Sequence, residues 1–474
     1  MIVHSILEET PEATAREMAR APEGADVVEI RADRLRAEAV AGLVAKQQRR
    51  VIVTVRAAAD GGGFDGSVEE KRRILESALS AGASFVDVEV DGPLAPLAEG
   101  PAADRVILSL HGGPCEPAAL AAAHERLRRS RARYLKLVPE AKRAGECGAL
   151  RALLREGDGR LAAFASGRAG TASRVFALSW GSWGIYGAVA RGRETAPGQV
   201  TTRDLLRVFR AGAIGEATRR FALVGTPVLE SPSPAMHAAG YAALGLDAVY
   251  VPVECDDLDD VTALPWDGLA VTTPLKGAAA RRCVRLTPDA RWGAVNTVRI
   301  EGDGWSGDNT DVAAARQLLD PVAIEAGDAV AIAGAGDSAR SLGGMLVDKG
   351  AAVSIFARDP ERGGEAAVAI GAASAPLPDL AAASWDLLIQ ATPLGKRGER
   401  VLPAERLAGR AVLDLAYGPR PTPLVEDARA LGLAVIDGPS FLLEQALRQF
   451  TVLTGLQPPR AVLAAALDAV SGAA

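Results

Sequence analysis

The sequence predicts an α/β protein: an N-terminal (β/α)8 barrel, then a second half built around a Rossmann-type dinucleotide fold. Three observations predict it. Short β-branched runs alternate with amphipathic Ala/Leu/Arg stretches eight times within residues 1–213, near the short end of the range for an eight-stranded parallel barrel. A glycine turn, GAG at 334–336, separates a strand pattern from a helix pattern in the second half. The chain, at 474 residues, is also too long for one compact core.

The barrel strands are read at Ile2–Leu7, Asp26–Arg31, Val51–Val55, Phe85–Val90, Arg105–Leu110, Arg133–Val138, Leu161–Ala165 and Gly184–Val189. Helical patterns follow, for example Thr10–Arg20, Val68–Ala81 and Thr202–Ala213. A doubly wound sheet is the structural competitor for this half. A polar stretch, IGEATRR from Ile214, precedes a new strand, FALVG, and marks the linker.

Composition narrows the function classes. Hydrophobic residues make up 49% and charged residues 24%, ordinary for a globular protein. The net charge of −6 argues against nucleic acid as a partner. No apolar run reaches the roughly 18–20 residues of a membrane span, and the N-terminus turns acidic too early for a signal peptide. Cys115, Cys147, Cys255 and Cys283 form no CxxC pair. A disulfide framework or a metal site is therefore not expected, and the cytoplasm is the expected compartment. Only seven of the 53 basic residues are lysines. A lysine at a buried-looking position is then a candidate for work that a guanidinium cannot do, such as forming an imine.

In a barrel of this kind the chemistry sits at the C-terminal strand ends. Polar residues stand there in number: Glu29 and Arg31 in VVEIR, Arg56 in VTVR, Glu89 in FVDVEV, His111 in ILSLH and Lys136 in YLKLVP. One such residue would be an ordinary solvated strand end; six on five successive strands point to a site. Lys136 lies within an apolar strand, where desolvation favours the neutral amine that attacks a ketone. His111, on the neighbouring strand, suits the general acid/base that an imine intermediate needs, and Glu89 is expected to orient and polarise it.

These motifs resemble type I 3-dehydroquinate dehydratase, a TIM-barrel family, over nearly all of residues 1–213. The resemblance implies an imine between Lys136 and the substrate ketone, with His111 driving loss of water. It makes Glu29, Arg31 and Arg56 substrate contacts and Arg174, in GTASR, the clamp for the substrate carboxylate. TAPGQ at 195–199 resembles the closing loop, with Thr195 and Gln199 as contacts; the family more often has Ser at position 195 and bulkier residues than Gly112-Gly113 after the histidine.

In the second half, SPS offers the hydroxyls of Ser231 and Ser233 ahead of a helix, and VTTPLKG places Thr272 and Lys276 at a strand end. GAVNTV presents Asn296, and GDNTD presents Asp311. A lysine beside an aspartate can relay the proton that carbonyl reduction requires. The turn Gly334-Ala335-Gly336, continued by Asp337 and Ser338, aims backbone N–H groups at a phosphate. The next strand ends in Arg358, with Arg362 one helical turn on, where arginines suit the 2′-phosphate of NADP rather than the free ribose of NAD.

Taken together, SPS, TTPLK, AVNT, GDNTD, LIQATPLG, DLAYGPRPTPL and GPSFLLEQALRQFTVLTG closely resemble shikimate dehydrogenase over about residues 220–470. That resemblance makes Lys276 and Asp311 the catalytic pair. It adds Ser231, Ser233, Thr272, Asn296, Tyr417 and Gln445 as contacts to the hydroxy-acid, and Thr392 near the nicotinamide. It implies three domains: a dehydratase barrel at 1–215, a substrate domain at 218–317 completed by 438–474, and an NADP-binding Rossmann domain at 318–437. The substrates implied are 3-dehydroquinate, 3-dehydroshikimate and shikimate, the product of one half feeding the other. Three positions depart from the family: Ala270 stands for an Asn, Gly277 follows the lysine in place of a polar residue, and Asp337 brings a carboxylate to the phosphate turn. Two other readings keep the folds: a quinate/shikimate dehydrogenase, and a non-catalytic metabolite sensor, which should have lost Lys136, His111, Lys276 or Asp311.

Overall fold

The computed structural model describes residues 1–418 and 420–471. The chain forms two compact units, one of Met1–Thr218 with Val251–Pro265, the other of Arg219–Tyr250 with the chain from Trp266 on.

The first unit alternates β1 (Ile2–Leu7), α1 (Pro11–Ala19), β2 (Val27–Arg31), α2 (Ala37–Ala45), β3 (Arg50–Thr54), α3 (Val68–Ser80), β4 (Phe85–Glu89), β5 (Val106–Pro114), α4 (Pro117–Arg128), β6 (Tyr134–Glu140), α5 (Cys147–Arg155), β7 (Leu161–Ala163), α6 (Thr171–Trp180), β8 (Ile185–Ala188) and α7 (Thr202–Arg207). The eight strands pair in the order β7-β6-β5-β4-β3-β2-β1-β8, in parallel wherever the register is defined. A doubly wound sheet would break that sequential order, so the barrel reading holds. At the seam between β7 and β8, Trp183 N donates to Leu161 O at 3.2 Å and Trp183 Nε1 to Leu135 O at 2.8 Å. The Trp183 ring stacks on Tyr134 with centroids 4.5 Å apart, sealing the seam with apolar area.

Local chemistry sets the helix starts. Ser67 and Glu70 form a complete capping box ahead of α3, and Thr10 caps α1 by accepting from Ala13 N. The last helix is shorter than the Thr202–Ala213 expected. It ends at Arg207, and Arg210 takes a left-handed φ of +48°. That turn lets both Phe209 and Ala211 bury, a gain in apolar burial that offsets the strained residue. Strand β5 runs past His111 to Pro114 through a bulge, where Gly112 and Gly113 have φ of +81° and +80°. Bulkier residues at these two positions would be strained whatever the space.

From Arg219 on, the described chain forms two six-stranded sheets. Its first part runs β9 (Arg219–Gly225), α8 (Ser233–Ala243), β10 (Ala248–Glu254), β11 (Gly268–Val271), α9 (Lys276–Arg282), β12 (Arg285–Leu286), β13 (Thr297–Glu301), β14 (Gly304–Asp308) and α10 (Thr310–Leu319). These strands lie in the order β10-β9-β11-β13-β14-β12, with β13 antiparallel to both neighbours. Next come β15 (Ala329–Ala333), α11 (Asp337–Asp348), β16 (Ala352–Ala357), α12 (Pro360–Ile370), β17 (Ala373–Pro376), β18 (Leu387–Gln390), β19 (Ala411–Asp414), α13 (Pro423–Ala430) and β20 (Ala434–Ile436). Their order, β17-β16-β15-β18-β19-β20, is the Rossmann order, with its topological switch between β15 and β18. Finally α14 (Gly438–Thr454) and α15 (Arg460–Ser471) return to the first sheet. Gln449 Nε2 donates to Asn296 O at 3.2 Å and to Thr297 Oγ1 at 3.1 Å, and Arg219 reaches Leu453 O and Thr454 O.

Candidate active sites

Inward-facing side chains of β1 to β6 meet at the top of the barrel. Ser5 Oγ donates to Glu29 Oε2 at 2.5 Å and Thr54 Oγ1 to Glu29 Oε1 at 2.7 Å. Ser109 Oγ donates to Asp87 Oδ1 at 2.6 Å, and Lys136 Nζ to Asp87 Oδ2 at 2.9 Å. Glu29 Oε1 lies 3.9 Å from the same Nζ, and the Tyr186 ring centroid lies 4.0 Å from it. The apolar strand expected around Lys136 is therefore only part of its surroundings. Its own strand is apolar, but the barrel brings carboxylates from β2 and β4 to the same axis. Burial pushes the Asp87 carboxyl upward, yet the Lys136 and Arg56 charges and the Ser109 hydrogen bond outweigh it and hold the group well below the usual carboxylate range. Asp87 is a counter-ion there, not a base.

His111 sits two residues beyond Ser109 on the same side of β5 and lines a cavity of about 190 Å³ with Lys136. Loss of water around the ring, then the Arg56 and Lys136 charges, push its pKa well below the ordinary imidazole value, against the pull of Asp87. The residue as a whole is exposed at the mouth, so the desolvation is partial and the cations give the direction its firmest ground.

Glu29, Arg31, Arg56, Arg174, Thr195 and Gln199 line the same cavity. Arg31 is forked onto Asp33, with Nη2 2.7 Å from Oδ2. Thr195 N and Oγ1 donate to Gln199 Oε1 at 2.8 and 3.0 Å, so the two expected loop contacts also bind each other. Arg174 is buried with its Nε unpartnered among the described residues, and its guanidinium lies over Phe164 at 4.9 Å. Burial pushes its pKa down to about 10. Glu89 requires a correction. Its Oε2 accepts from Lys71 Nζ at 2.7 Å and its Oε1 lies 3.9 Å from Arg56 Nη1; among the described residues no hydrogen bond joins it to His111. It stands behind Arg56, because α3 delivers an ammonium group to it there.

In the second unit, Lys276 opens α9 and Asp311 lies in the first turn of α10, with Nζ donating to Oδ2 at 2.6 Å. Asn296 Nδ2 donates to Asp311 Oδ1 at 2.9 Å and its Oδ1 accepts from Thr310 N at 2.8 Å, which fixes the aspartate. A cavity of about 210 Å³ gathers Lys276, Asp311, Asn296, Thr272, Ser231, Ser233, Tyr417 and Gln445. Burial raises the pKa of Tyr417 while the Ser231 hydroxyl opposes it, so the phenol stays neutral near pH 7. Ala270, where the family has Asn, is a buried part of this wall.

Beside it a cleft of about 410 Å³ is lined by Ala335, Gly336, Asp337, Arg340 and Arg362, with Gly277 and Arg281 opposite. Gly334 has φ +120°, and a Cβ there would stand 2.9 Å from Ala391 O, so only glycine brings the turn this close to the segment carrying Thr392 at the switch point. Asp337 pairs with Arg340 at 2.8 Å, and Arg340 Nε is anchored on Trp292 O, which offsets the negative charge that Asp337 brings. Arg358 is exposed just past β16, beside Asp359, which caps α12 by accepting from Glu361 N and Arg362 N. Ser338, expected among the phosphate contacts, instead turns its hydroxyl to Lys276 Nζ at 3.1 Å and lines the substrate cavity. It is the second residue of α11, and its side chain points back across the turn.

Several site residues escaped the sequence reading: Asp87, Asp33, Ser109, Tyr186 and Lys71 in the barrel, and Tyr250 and Gln449 in the second cavity. Strand alternation held a signal for some of them. Asp87 precedes Glu89 by two residues on β4 and so shares its face, whereas Asp33 lies in the turn after β2.

Fold and cavities together define the class: a two-part enzyme chain, a barrel with a lysine-centred site joined to a dinucleotide-fold unit with a lysine–aspartate site. Residues 2–215 match the family model "Type I 3-dehydroquinase", and residues 223–298 match "Shikimate dehydrogenase substrate binding domain". A shikimate dehydrogenase (NADP(+)) of Anaeromyxobacter dehalogenans is 38% identical over 275 residues, spanning 54% of this chain and 98% of that protein. The chloroplastic bifunctional 3-dehydroquinate dehydratase/shikimate dehydrogenase of Arabidopsis thaliana is 28% identical over 481 residues, spanning 92% of this chain and 79% of its own. Among solved structures, the dehydroquinate dehydratase and shikimate dehydrogenase of S. pombe AroM aligns with a TM-score of 0.43 at 24% identity, covering 98% of each chain. The chain belongs to the shikimate dehydrogenase family, with a type I 3-dehydroquinase fused ahead of it.

Proposed function

We propose that the chain dehydrates 3-dehydroquinate to 3-dehydroshikimate in the barrel and reduces that product to shikimate with NADPH in the second unit. One observation carries the reading: each cavity holds a buried lysine bonded to a buried aspartate, Lys136 to Asp87 and Lys276 to Asp311.

In the barrel, Lys136 Nζ attacks the ketone carbon, and loss of water from the adduct leaves an iminium. His111, neutral at pH 7 because its pKa is depressed, takes a proton from the adjacent carbon. The electron pair flows toward the iminium nitrogen, forming an enamine. Its return expels the hydroxyl group as water, with the proton delivered by the His111 imidazolium. Hydrolysis of the conjugated imine frees Lys136. Arg174 clamps the substrate carboxylate, since a buried guanidinium without an acidic neighbour is costly until an anion joins it. Glu29, Arg31, Arg56, Thr195 and Gln199 hold the ring hydroxyls and close the loop.

In the second unit the residues fit a dinucleotide: the Gly334–Gly336 turn and the start of α11 would hold its pyrophosphate, and Arg358 and Arg362 its 2′-phosphate. NADPH, when bound, supplies the hydride. Lys276 donates a proton to the carbonyl oxygen, and Asp311 holds the ammonium in place for it. Ser231, Ser233, Thr272, Asn296, Tyr417 and Gln445 orient the hydroxy-acid. Three domains are assigned accordingly, at 1–215, at 218–317 with 438–474, and at 318–437. The partners are small molecules rather than nucleic acid or membrane, and the place of work is the cytoplasm; among the described residues no helix is long and apolar enough to cross a membrane.

Purified chain given 3-dehydroquinate and NADPH should consume the cofactor and accumulate shikimate. Consumption from 3-dehydroshikimate but not from 3-dehydroquinate would remove the dehydratase half of the reading.

A further inference from the structure

Of the seven lysines in the chain, three are buried: Lys71 at 6% exposure, Lys136 at 5% and Lys276 at 8%. The other four, Lys46, Lys142, Lys349 and Lys396, are exposed. Two of the buried three are the lysines of the two cavities. The third has no part in the mechanism above, although a surface cation in this sequence is nearly always arginine.

Lys71 projects from α3 and donates to Glu89 Oε2 at 2.7 Å. Glu89 Oε1 is buried without a hydrogen-bond partner among the described residues and lies 3.9 Å from Arg56 Nη1. Arg56 Nη2 lies 3.6 Å from Asp87 Oδ1, and Asp87 Oδ2 holds Lys136. Charge therefore alternates from Lys71 through Glu89, Arg56 and Asp87 to Lys136, with each group buried. Both terminal nitrogens of Arg56 lack a hydrogen bond among the described residues, so its position rests on these two carboxylates.

We propose that Lys71 is a positioning residue of the dehydratase: by neutralising Glu89 it keeps that carboxylate from drawing Arg56 away from Asp87, Lys136 and the cavity. The proposal rests on the dehydratase reading of the barrel. The charged groups that act most on His111 are Arg56, Lys136, Asp87 and Arg31, the last forked onto Asp33; Glu29, Asp60 and Arg174 line the same cavity. Without Lys71, Glu89 has Arg56 as its remaining cation and draws it back. The positive field at His111 weakens, and the imidazole keeps its proton to higher pH.

The test is the pH dependence of dehydratase kcat/KM in the full chain. In Lys71→Met the acid limb should move up by on the order of half a pH unit, with kcat/KM near neutrality down about tenfold or more, as displaced substrate-positioning groups do. Lys71→Arg should recover most of both. Lys71→Met with an unshifted acid limb overturns the proposal, as does a Lys71→Arg no better than Lys71→Met. If the unpaired Glu89 of Lys71→Met prevents folding, the comparison passes to Glu89→Gln with and without Lys71→Met, the double variant leaving neither member of the pair charged. An effect of Lys71 exerted through Glu89 then disappears; a further loss in the double variant overturns it. Borohydride trapping of 3-dehydroquinate on Lys136 in the unaltered protein tests the dehydratase reading separately.

Discussion

Replacing Arg174 with Met should make the barrel more stable and nearly inactive. The guanidinium is buried, and burial alone pulls its pKa from the ordinary guanidinium value down to about 10. At 1.36 kcal/mol per tenfold, that corresponds to about 3 kcal/mol spent on keeping the charge in the folded barrel. Stacking on Phe164 at 4.9 Å and the hydrogen bond to Pro197 O at 3.4 Å recover part of it, roughly 1 kcal/mol for a cation–π contact. Methionine keeps the apolar stem and removes the charge, so the barrel should gain about 1–2 kcal/mol, or roughly 2–8 °C in its melting temperature for a unit of this size. Substrate binding should move the other way. A bidentate carboxylate contact comprises two charge-assisted hydrogen bonds of about 1.5–3 kcal/mol each, so kcat/KM should fall by about two to four powers of ten. Calorimetry of the full chain, with and without 3-dehydroquinate, reads both effects, since a ligand that binds the native state raises its melting temperature. The unaltered protein should be stabilised by the substrate and Arg174→Met should not. A variant that melts below the unaltered protein would show that Arg174 is a structural cation, and the clamp assignment would fail with it.

Borohydride added with 3-dehydroquinate should inactivate the dehydratase and add the ligand's mass to the peptide carrying Lys136; labelling of any other lysine would move the site. Arg358→Ala should weaken NADPH by about one to two powers of ten, from one lost charge-assisted bond, and leave NADH unchanged. The capping bonds of Asp359 to Glu361 N and Arg362 N occupy the carboxylate that would otherwise favour a free ribose; equal losses for the two cofactors would make Arg358 structural. Acid should weaken both units, because burial holds His4 near pKa 4 and His237 near pKa 3. Both folded values are depressed, so the unfolded chain binds more protons below about pH 6.5, and stability should fall as pH drops from there toward 4 and then 3. The slope is roughly 1.4 kcal/mol per pH unit for each histidine. Denaturant titrations of His4→Gln and His237→Gln between pH 4 and 7 check this, and slopes equal to that of the unaltered protein would exclude the histidines as its source.

The barrel was legible in the sequence because each strand is short, β-branched and bounded by a polar helix pattern, a periodicity that depends only on neighbours in the chain. Its edges were less so. The strand at 161 stops at Ala163 and the last helix stops at Arg207, and both endings depend on what packs across the seam rather than on local preference. The nucleotide sheet was legible for a different reason: its glycine turn is a backbone requirement, visible at Gly334, where a side chain would meet Ala391.

The sites divide along the same line. Residues whose chemistry is conspicuous at a strand end, such as His111, Lys136 and Arg56, can be picked from a linear reading. Their partners cannot, since a carboxylate inside a strand motif looks like a core error until a neighbouring strand supplies a cation. Asp87 gave such a signal, lying on the same face as Glu89, yet only the barrel shows that Lys136 reaches the former and Lys71 the latter. Glu89 was expected to orient His111, whereas its ammonium partner comes from a helix on the outside of the barrel, beyond the reach of any strand pattern. A count of scarce residue types crosses that gap. Buried lysines in an arginine-rich chain mark positions where a compact, strongly hydrated ammonium was kept despite its desolvation cost, and this applies to Lys71 as much as to Lys136 and Lys276.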